Sequence, residues 1–424
     1  MRNTHTFVVI TLAFLLSACG SGTASEVAAT PTVSSTPDTA AQATQAPYTD
    51  AATPCKPFSL IDQVFQPPLV PIPEVTDEDW VNGPADAKVT FIVYDDMQCP
   101  YCAQFQPIIN EVLAQFPEDA RLVYRHWPLS FHDKAVLSAQ ALEAAGRQGK
   151  FFEMVDTLYA KQNEWNQKTP EEYETYVKEI ADSLGLDTTQ FATDLNSTEI
   201  VEKIKAETEK SNLLGSQLSE AYGTGFGTPT VLINGTPYLQ QRSVELLSSI
   251  VRLVQGKGEE VLECPTTVID AQADYQATIL TSKGEIVIDL LEDDAPQTVN
   301  NFVYLVQNAW YDNNAFFVVR ENFVLTGDKV NTGFGGPGYA FLDEIKDELK
   351  FDKEGVVGMY SFGPGTNGSQ FFITKEAMDA LNGNYTIFGQ VIEGLDVLKS
   401  LALHETTASL DSADRILGIS ITTK

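Results

Sequence analysis

Two cysteines separated by two residues form the most reactive pattern in the chain, Cys99-Pro100-Tyr101-Cys102. Such a pair supports either reversible disulfide chemistry or one half of a zinc site. A zinc site needs further thiols or imidazoles at ligand spacing, and the four histidines, His5, His126, His132 and His404, do not have that spacing. The pattern therefore predicts dithiol–disulfide chemistry, without a metal or another cofactor.

The residues around this pair predict a strand that passes directly into a helix. The β-branched and aromatic run Val89–Tyr94 precedes the pair, and apolar residues at helical spacing follow it from Phe105 to Phe116. Pro100 suits the first helical position, where free amide groups and the helix dipole stabilise a thiolate at Cys99. Cys99 is the predicted nucleophile. Cys102, one turn further on, is predicted to resolve a mixed disulfide.

A second motif lies far downstream, where Gly227-Thr228-Pro229-Thr230 leads into the apolar run Val231–Ile233 and an Asn234-Gly235 hairpin turn. This arrangement resembles the cis-proline loop of the thioredoxin fold. The resemblance implies that the loop faces the two cysteines. Pro229, which has no amide proton, would let a substrate strand approach the sulfurs, and Thr228 would contact that strand.

Residues 133–222 separate the two motifs and carry helical patterns, among them Ala135–Ala145 and Ile200–Leu214. Together with Asp96 and the run Val123–Leu129, this layout resembles the DsbA-like branch of the thioredoxin superfamily. We therefore expect an α/β thioredoxin fold with a helical insertion over residues 57–262. The resemblance implies thiol–disulfide oxidoreductase activity on exported proteins.

The chain departs from this family at one position. Several relatives carry a buried acid six residues before the first motif cysteine, where this chain has Val93. A proton relay through that position is therefore not expected. Arg125 and His126 are candidates to influence the site, but we interpret them as structural or surface residues.

Two further cysteines, Cys55 and Cys264, bracket the first predicted domain. An even number of remaining cysteines in an exported protein predicts that these two form a structural disulfide, with two unrelated thiols as the alternative. Such a bridge would close a loop of more than two hundred residues, for which chain entropy gives about 5 kcal/mol.

The pattern changes after Cys264 to the alternating polar and apolar residues of strands, as in Tyr275–Leu280 and Gly284–Leu290. The segment Thr366-Asn367-Gly368-Ser369-Gln370-Phe371-Phe372-Ile373, with Tyr385–Gly389 after it, resembles the cyclophilin family over residues 273–424. The resemblance implies a closed β-barrel that catalyses rotation about X-Pro bonds. It also implies a proline pocket and a polar contact to the substrate backbone, formed by Phe323, Phe372, Leu381, Tyr385 and Gln370.

The arginine that donates to the prolyl nitrogen in cyclophilins is absent from its usual position, where this chain has Val318. Four other positions also depart from the family pattern: Thr326, Phe362, Ala380 and Tyr385. Loss of one preorganised donor costs about 10²- to 10³-fold in rate. Arg320 is an alternative donor, because residues two apart on a strand share a face. The other interpretation makes Arg320 a solvated rim residue on a domain that only binds proline-containing segments.

The N-terminus predicts export and anchorage. Arg2, a short apolar run from Phe7 to Leu16 and the small residues before Cys19 resemble a bacterial lipoprotein signal in residues 1–19. The resemblance implies that Cys19 is lipidated and becomes the new N-terminus. Residues 20–56, rich in Ala, Thr, Ser and Pro, are predicted to form a flexible linker.

The composition excludes one class of partner. The chain of 424 residues has 27 basic and 58 acidic residues and a net charge of −31, which opposes binding to nucleic acid. We interpret the acidity as a solvated surface.

These features together predict a folding factor held by lipid on the outer face of a bacterial membrane. Its partners would be unfolded or partly folded exported proteins, and a membrane redox partner is a further candidate. The alternative is a non-enzymatic chaperone or scaffold in which Cys99 and Cys102 form a structural disulfide. Whether the pair oxidises, reduces or isomerises client disulfides is left open by the sequence.

Overall fold

A computed structural model describes residues 55–59, 62, 67–256, 263–404 and 412–424. Cys19 and nearly all of the predicted linker lie outside these residues. The chain forms two domains, an N-terminal α/β domain of the thioredoxin type and a C-terminal domain built on one curled antiparallel sheet, as predicted. In the described ranges, none of the helices combines the length and the hydropathy that a membrane span requires.

The first domain is organised around a five-stranded sheet with the order β2-β4-β3-β5-β6. Strand β3 lies at its centre, parallel to β4 and antiparallel to β5. Its β-branched and aromatic residues are buried on both faces, which explains their continuous apolar run. The strands are β2 (Trp80–Asn82), β3 (Val89–Asp95), β4 (Ala120–His126), β5 (Thr230–Ile233) and β6 (Thr236–Pro237).

Helices cover both faces of this sheet. Helix α1 (Pro100–Gln115) follows β3, and helix α8 (Val244–Gln255) packs with it over one face through residues such as Phe105, Ile109 and Leu247. The predicted helical insertion runs between β4 and β5. It comprises α2 (Ala135–Gly146), α3 (Phe151–Ala160), α4 (Gln162–Trp165), α5 (Pro170–Ser183), α6 (Thr188–Leu195) and α7 (Thr198–Tyr222).

The insertion has its own core, in which Trp165, Tyr173 and Phe191 are fully buried. Local sequence sets several of its helix starts. Thr169 and Glu172 form a capping box at α5, since the Thr169 hydroxyl accepts from the Glu172 amide and the Glu172 carboxylate accepts from the Thr169 amide. The Ser197 hydroxyl accepts from the Ile200 amide at the start of α7.

The second domain contains an eight-stranded antiparallel sheet with the order β15-β7-β8-β14-β12-β13-β10-β9. An antiparallel bridge between Ala315 and Arg415 connects the two ends of the sheet. Helices α9 (Pro296–Gln307) and α10 (Leu395–Ser400) accompany it, and aromatic residues such as Phe302, Phe371 and Phe388 fill the core. The strands are β7 (Tyr275–Thr281), β8 (Gly284–Leu290), β9 (Val318–Val319), β10 (Phe323–Thr326), β12 (Val356–Met359), β13 (Phe371–Thr374), β14 (Ile387–Glu393) and β15 (Ile416–Thr423).

The residues just before the first domain contact the second. A disulfide joins Cys55 to Cys264. Strand β1 (Lys56–Pro57) pairs antiparallel with β11 (Tyr339–Ala340) of the second domain. The sequence assigned residue 57 to the first domain, but residues 56 and 57 pair with the second. The disulfide therefore joins the segment just before the first domain to the segment just after it, and β1 holds the first of these segments on the second domain.

Candidate active sites

The first site lies where β3 meets α1. Cys99 is the N-cap residue of α1, Pro100 occupies the first turn, and both motif cysteines are present as buried free thiols. This is the junction predicted from the sequence. Cys99 Sγ lies 3.3 Å from the carbonyl oxygen of Thr228, and the Thr228–Pro229 peptide is cis. The structure therefore brings Cys99, Cys102, Thr228 and Pro229 together.

The two thiols have opposite electrostatic environments. A hydrogen bond from Cys102 is the main reason that the pKa of Cys99 falls to about 6, and the Thr228 side chain and the backbone amides of Cys102 and Tyr101 lower it further. Burial opposes this decrease but does not outweigh it. For Cys102, burial is the main cause of a pKa well above the ordinary thiol value. Cys99 can therefore be a thiolate near neutral pH while Cys102 keeps its proton.

An acid does reach this site, although none was expected once Val93 had replaced the usual one. Val93 contributes to the core between β3 and α1. Asp95 lies two residues further on, on the same face of the strand, and is 3% exposed. Burial is the main cause of an Asp95 pKa of about 6, and the carboxylate shares hydrogen bonds with Cys102 and Tyr159. The Tyr159 hydroxyl donates to Asp95 Oδ1 at 2.8 Å.

A hydrogen-bond network fixes the loop before Cys99. Asp96 Oδ2 accepts from the Leu129 amide at 2.8 Å and lies 2.8 Å from His132 Nδ1. Its Oδ1 accepts from the Gln98 amide at 2.7 Å. The side-chain amide of Gln162 donates through Nε2 to the carbonyl oxygens of Met97 and Cys99. The loop before Cys99 and the helical insertion therefore hold Cys99 in place before a substrate arrives.

Two residues left out of the predicted catalytic set have structural partners. Arg125 forms a two-point ion pair with Asp79, with nitrogen–oxygen distances of 2.7 and 3.0 Å, and also donates to the Tyr94 hydroxyl. His126 is buried with its Nε2 3.1 Å from Glu143 Oε1. Both contacts join β4 to neighbouring elements, in agreement with a structural role.

Exposed aromatic side chains lie beside the redox pair. Tyr101, inside the motif, is 67% exposed, and Phe131 is 76% exposed next to the site residue His132. Large apolar side chains in water at this position mark a candidate contact surface. Among the described residues, no group of three or more His, Cys, Asp or Glu side chains is arranged to hold a metal ion.

The second site lies on the curled sheet. The residues predicted to line a proline pocket, Phe323, Phe372, Leu381 and Tyr385, belong to one apolar cluster together with Val318. The rings of Phe372 and Tyr385 meet edge to face, with their centroids 5.5 Å apart. The structure therefore assembles the predicted pocket residues, with Val318 beside them.

Polar groups near this cluster fall into two kinds. The hydroxyl of Thr326 has a hydrogen-bond partner within the protein, since it donates to the Ala315 carbonyl at 2.9 Å. Gln370 is 3% exposed and its Nε2 donates to the Gly335 carbonyl at 2.8 Å. Its Oε1, however, is buried without a hydrogen-bond partner among the described residues. That oxygen can accept a hydrogen bond from a bound ligand.

Arg320 is a cation that lies beside one of the pocket residues named above. Its guanidinium carbon lies 5.9 Å from the centroid of the Phe323 ring. Nε is buried and has no hydrogen-bond partner in the described parts of the chain. Lys375 donates to the backbone carbonyl of Arg320, not to its side chain. Arg320 therefore keeps one unused hydrogen-bond donor beside this cluster.

Fold and sites together define a protein with a thioredoxin-like dithiol domain and a cyclophilin-like barrel. Comparison with known families agrees on both domains. The model for the family described as "Thioredoxin" matches residues 75–252. The model for "Cyclophilin type peptidyl-prolyl cis-trans isomerase/CLD" matches residues 276–421. The chain belongs to the cyclophilin-type peptidyl-prolyl isomerase family, through its second domain, and it carries a thioredoxin-like domain ahead of it.

Several relatives of the second domain are covered almost completely. The peptidyl-prolyl cis-trans isomerase A of Mycobacterium tuberculosis is 39% identical over 178 residues, which cover 38% of this chain and 98% of the relative. A probable isomerase A of Mycobacterium leprae is 43% identical over 155 residues, covering 33% and 84%. A solved cyclophilin-type isomerase from Cryptosporidium parvum is 32% identical with a TM-score of 0.33, covering 36% of this chain and 99% of that one.

Proposed function

We propose that this protein is an exported, membrane-tethered folding factor whose first domain exchanges disulfides with client proteins through Cys99 and Cys102. The observation that carries the proposal is the asymmetry of the pair. Cys99 has a pKa of about 6 at a helix N-terminus, whereas Cys102 is buried behind it with a raised pKa. A structural disulfide requires no such difference between its two sulfurs.

The asymmetry also favours one direction of exchange. A stabilised Cys99 thiolate stabilises the reduced form of the pair, which makes the oxidised pair a good acceptor of electrons. In this direction a client thiolate attacks Cys99 Sγ, the Cys99–Cys102 bond breaks, and Cys102 leaves as a thiolate. A second client thiolate then attacks the client sulfur of the mixed disulfide and releases Cys99 as a thiolate. The client gains a disulfide and the protein becomes a dithiol.

Asp95 supports the proton step of this exchange. The Cys102 thiolate needs a proton after the first attack, because burial disfavours its charged form. Asp95 shares a hydrogen bond with Cys102 and has a pKa of about 6, so a fraction of the carboxyl is protonated near neutral pH. Asp95 donates to Cys102 in the oxidising direction and accepts the same proton in the reverse direction.

The test is oxidation of a reduced, unfolded client protein by the preoxidised full-length protein, followed by quenching and counting of client disulfides. Cys99→Ser is expected to abolish the reaction. The control variant Cys55→Ser/Cys264→Ser removes the other disulfide and is expected to keep the reaction. Undiminished oxidation by Cys99→Ser would instead support the non-enzymatic scaffold.

A second candidate function, prolyl isomerisation by the barrel, is favoured by the placement of Arg320. Its unpaired Nε lies beside Phe323, on the strand face of Val318. A donor here can weaken amide resonance by a hydrogen bond to the prolyl nitrogen of a bound client. We propose that the barrel captures proline-containing segments in the pocket formed by Phe323, Phe372, Leu381 and Tyr385, and that Arg320 supplies this donor.

Isomerase assays on a proline-containing peptide test this role of Arg320. Arg320→Gln is expected to lower kcat/KM by about 10²- to 10³-fold. Adding Val318→Arg to that variant is expected to recover part of the activity, because it restores a donor on the same face. An Arg320→Gln protein as active as the wild type would remove Arg320 from the mechanism.

Export and tethering complete the proposal. The signal-like residues 1–19 and the candidate lipidation site Cys19 support them. The disulfide between Cys55 and Cys264 also fits an oxidising compartment, where such bonds persist. Expression in a bacterial host followed by fractionation tests the anchor. The wild type is expected in the membrane fraction and Cys19→Ser in the soluble exported fraction, and an unchanged distribution would contradict lipidation at Cys19.

A further inference from the structure

A short segment ahead of the first domain lies on the second domain. Residues 55–59, called the strap below, are held there in three ways. Cys55 forms the disulfide with Cys264, and Cys55 also packs against the barrel core. Lys56 and Pro57 pair with β11. The Phe58 amide donates to the Gly338 carbonyl at 3.0 Å.

The strap reaches a cleft that belongs to the second site. Phe58 and Ser59 line this cleft together with Leu253 from α8 and with residues of the barrel. We call this cleft the side cleft. The barrel residues that line it include Phe334, Gly335, Pro337, Tyr360, Phe362 and Gln370. Tyr360 also packs against the cluster that forms the proline pocket. The side cleft and the predicted proline pocket are therefore adjacent.

The chemistry of the side cleft suits an extended peptide with an apolar side chain. Its aromatic lining includes stacked rings of Phe334 and Phe362, with centroids 6.4 Å apart. Gln370 contributes a buried, unpartnered Oε1, which can accept a backbone N–H. The edge of β11 that pairs with β1 can pair instead with an added strand once the strap leaves. The strap already offers an apolar residue and a paired strand here, because Phe58 lines the cleft directly after the two-residue β1.

We infer that the strap is a built-in ligand of the side cleft and competes there with extended client segments. The disulfide keeps the strap next to the cleft at a high effective concentration, so a client must displace it. This inference rests on the proposed capture of clients by the barrel. It adds that capture is restrained by residues 55–59 and is strengthened when they are released.

Peptide affinity measures this competition. The probes are fluorescein-labelled peptides that share one Ala-Pro bond and carry a single Phe at one of the three preceding positions. Fluorescence anisotropy gives Kd for the full-length protein and three variants. Phe58→Ala removes the apolar side chain of the strap, and Cys55→Ser/Cys264→Ser removes its tether. Leu417→Ala, an exposed residue on β15 (54% exposed), is the matched control.

At least one peptide is expected to bind Phe58→Ala and the double cysteine variant at least tenfold more tightly than the wild type. Leu417→Ala is expected to match the wild type. Hydrogen exchange at residues 338–342 should rise in the double variant and fall again with saturating peptide, which shows that peptide replaces the strap. Peptide affinities within twofold in all four proteins would overturn the competition but keep client capture. No binding to any of the four would refute client capture itself, and the competition with it.

Discussion

Replacing Asp95 by Asn should stabilise the protein while slowing its disulfide exchange. The carboxylate is 3% exposed at the end of β3, and burial is the main cause of its pKa of about 6 against an ordinary value of 3.8. Above pH 6 the folded protein therefore holds a buried charge that the unfolded chain exposes to water. Asparagine keeps the shape and an oxygen that can accept from Tyr159, but it carries no charge.

The size of the effect follows from the two pKa values. Each pKa unit corresponds to about 1.4 kcal/mol, so the difference between 3.8 and about 6 gives an upper limit of about 3 kcal/mol. The folded pKa is the higher one, so the charge costs nothing below pH 3.8. Its cost grows between pH 3.8 and 6 and is complete above pH 6. Asp95→Asn is therefore expected to gain about 1 to 3 kcal/mol at pH 8 and nothing at pH 3.5.

The assay is urea unfolding of both proteins in the reduced state, followed by tryptophan fluorescence. Trp80, Trp127 and Trp165 report on the first domain. Asp96→Asn is the matched control, since Asp96 accepts hydrogen bonds from the amides of Gln98 and Leu129. This control should be less stable than the wild type. A gain for Asp95→Asn that is independent of pH, or a loss at pH 8, would refute the assignment of a buried charge at Asp95.

Three further predictions concern the same domain. Cys102→Ser should accumulate a mixed disulfide between Cys99 and a disulfide-bonded client, visible on non-reducing gels; absence of the adduct would exclude Cys102 as the resolving thiol. Burial raises the pKa of Glu143, but its contacts with His126 and Lys203 outweigh that effect and hold the pKa at about 2 against an ordinary 4.5. Glu143→Gln should therefore cost about 2 to 3 kcal/mol at pH 7, and this cost should shrink as pH falls from 4.5 toward 2; urea titrations that show equal cost at every pH would contradict this. A β-carbon on Gly215 would lie 2.3 Å from the Trp127 ring, so Gly215→Ala should cost about 1 to 3 kcal/mol, and an unchanged urea midpoint would show that the ring moves freely.

The fold could be predicted because its main signals are local. Val89–Tyr94 forms the central strand, Pro100 starts the following helix, and Asn234-Gly235 turns β5 into β6 with positive φ at both residues. Each of these depends on a few neighbouring residues. The helical patterns between residues 133 and 222 likewise became the insertion, although short helices such as α4 and α6 gave too few turns to be separated from their neighbours.

Long-range relations could not be predicted in the same way. The sequence pattern identified Val93 as the residue in place of a buried acid. It did not show that Asp95, two residues on, reaches Cys102, because that depends on where β3 ends beneath α1. The pairing of Lys56–Pro57 with Tyr339–Ala340 joins segments that lie far apart in the chain and contain few strand residues. The even number of cysteines predicted the bridge that holds this pairing, but not the cleft beside it.

The central claim is that Cys99 is a thiolate at neutral pH, and it can be measured directly. Thiolate absorbance at 240 nm is recorded from pH 4 to pH 10 for the reduced wild type and for reduced Cys99→Ser, and the two curves are subtracted. The difference should rise with a midpoint near pH 6. A midpoint above pH 8, as in an ordinary thiol, would contradict the assignment of Cys99 as the stabilised thiolate of the pair.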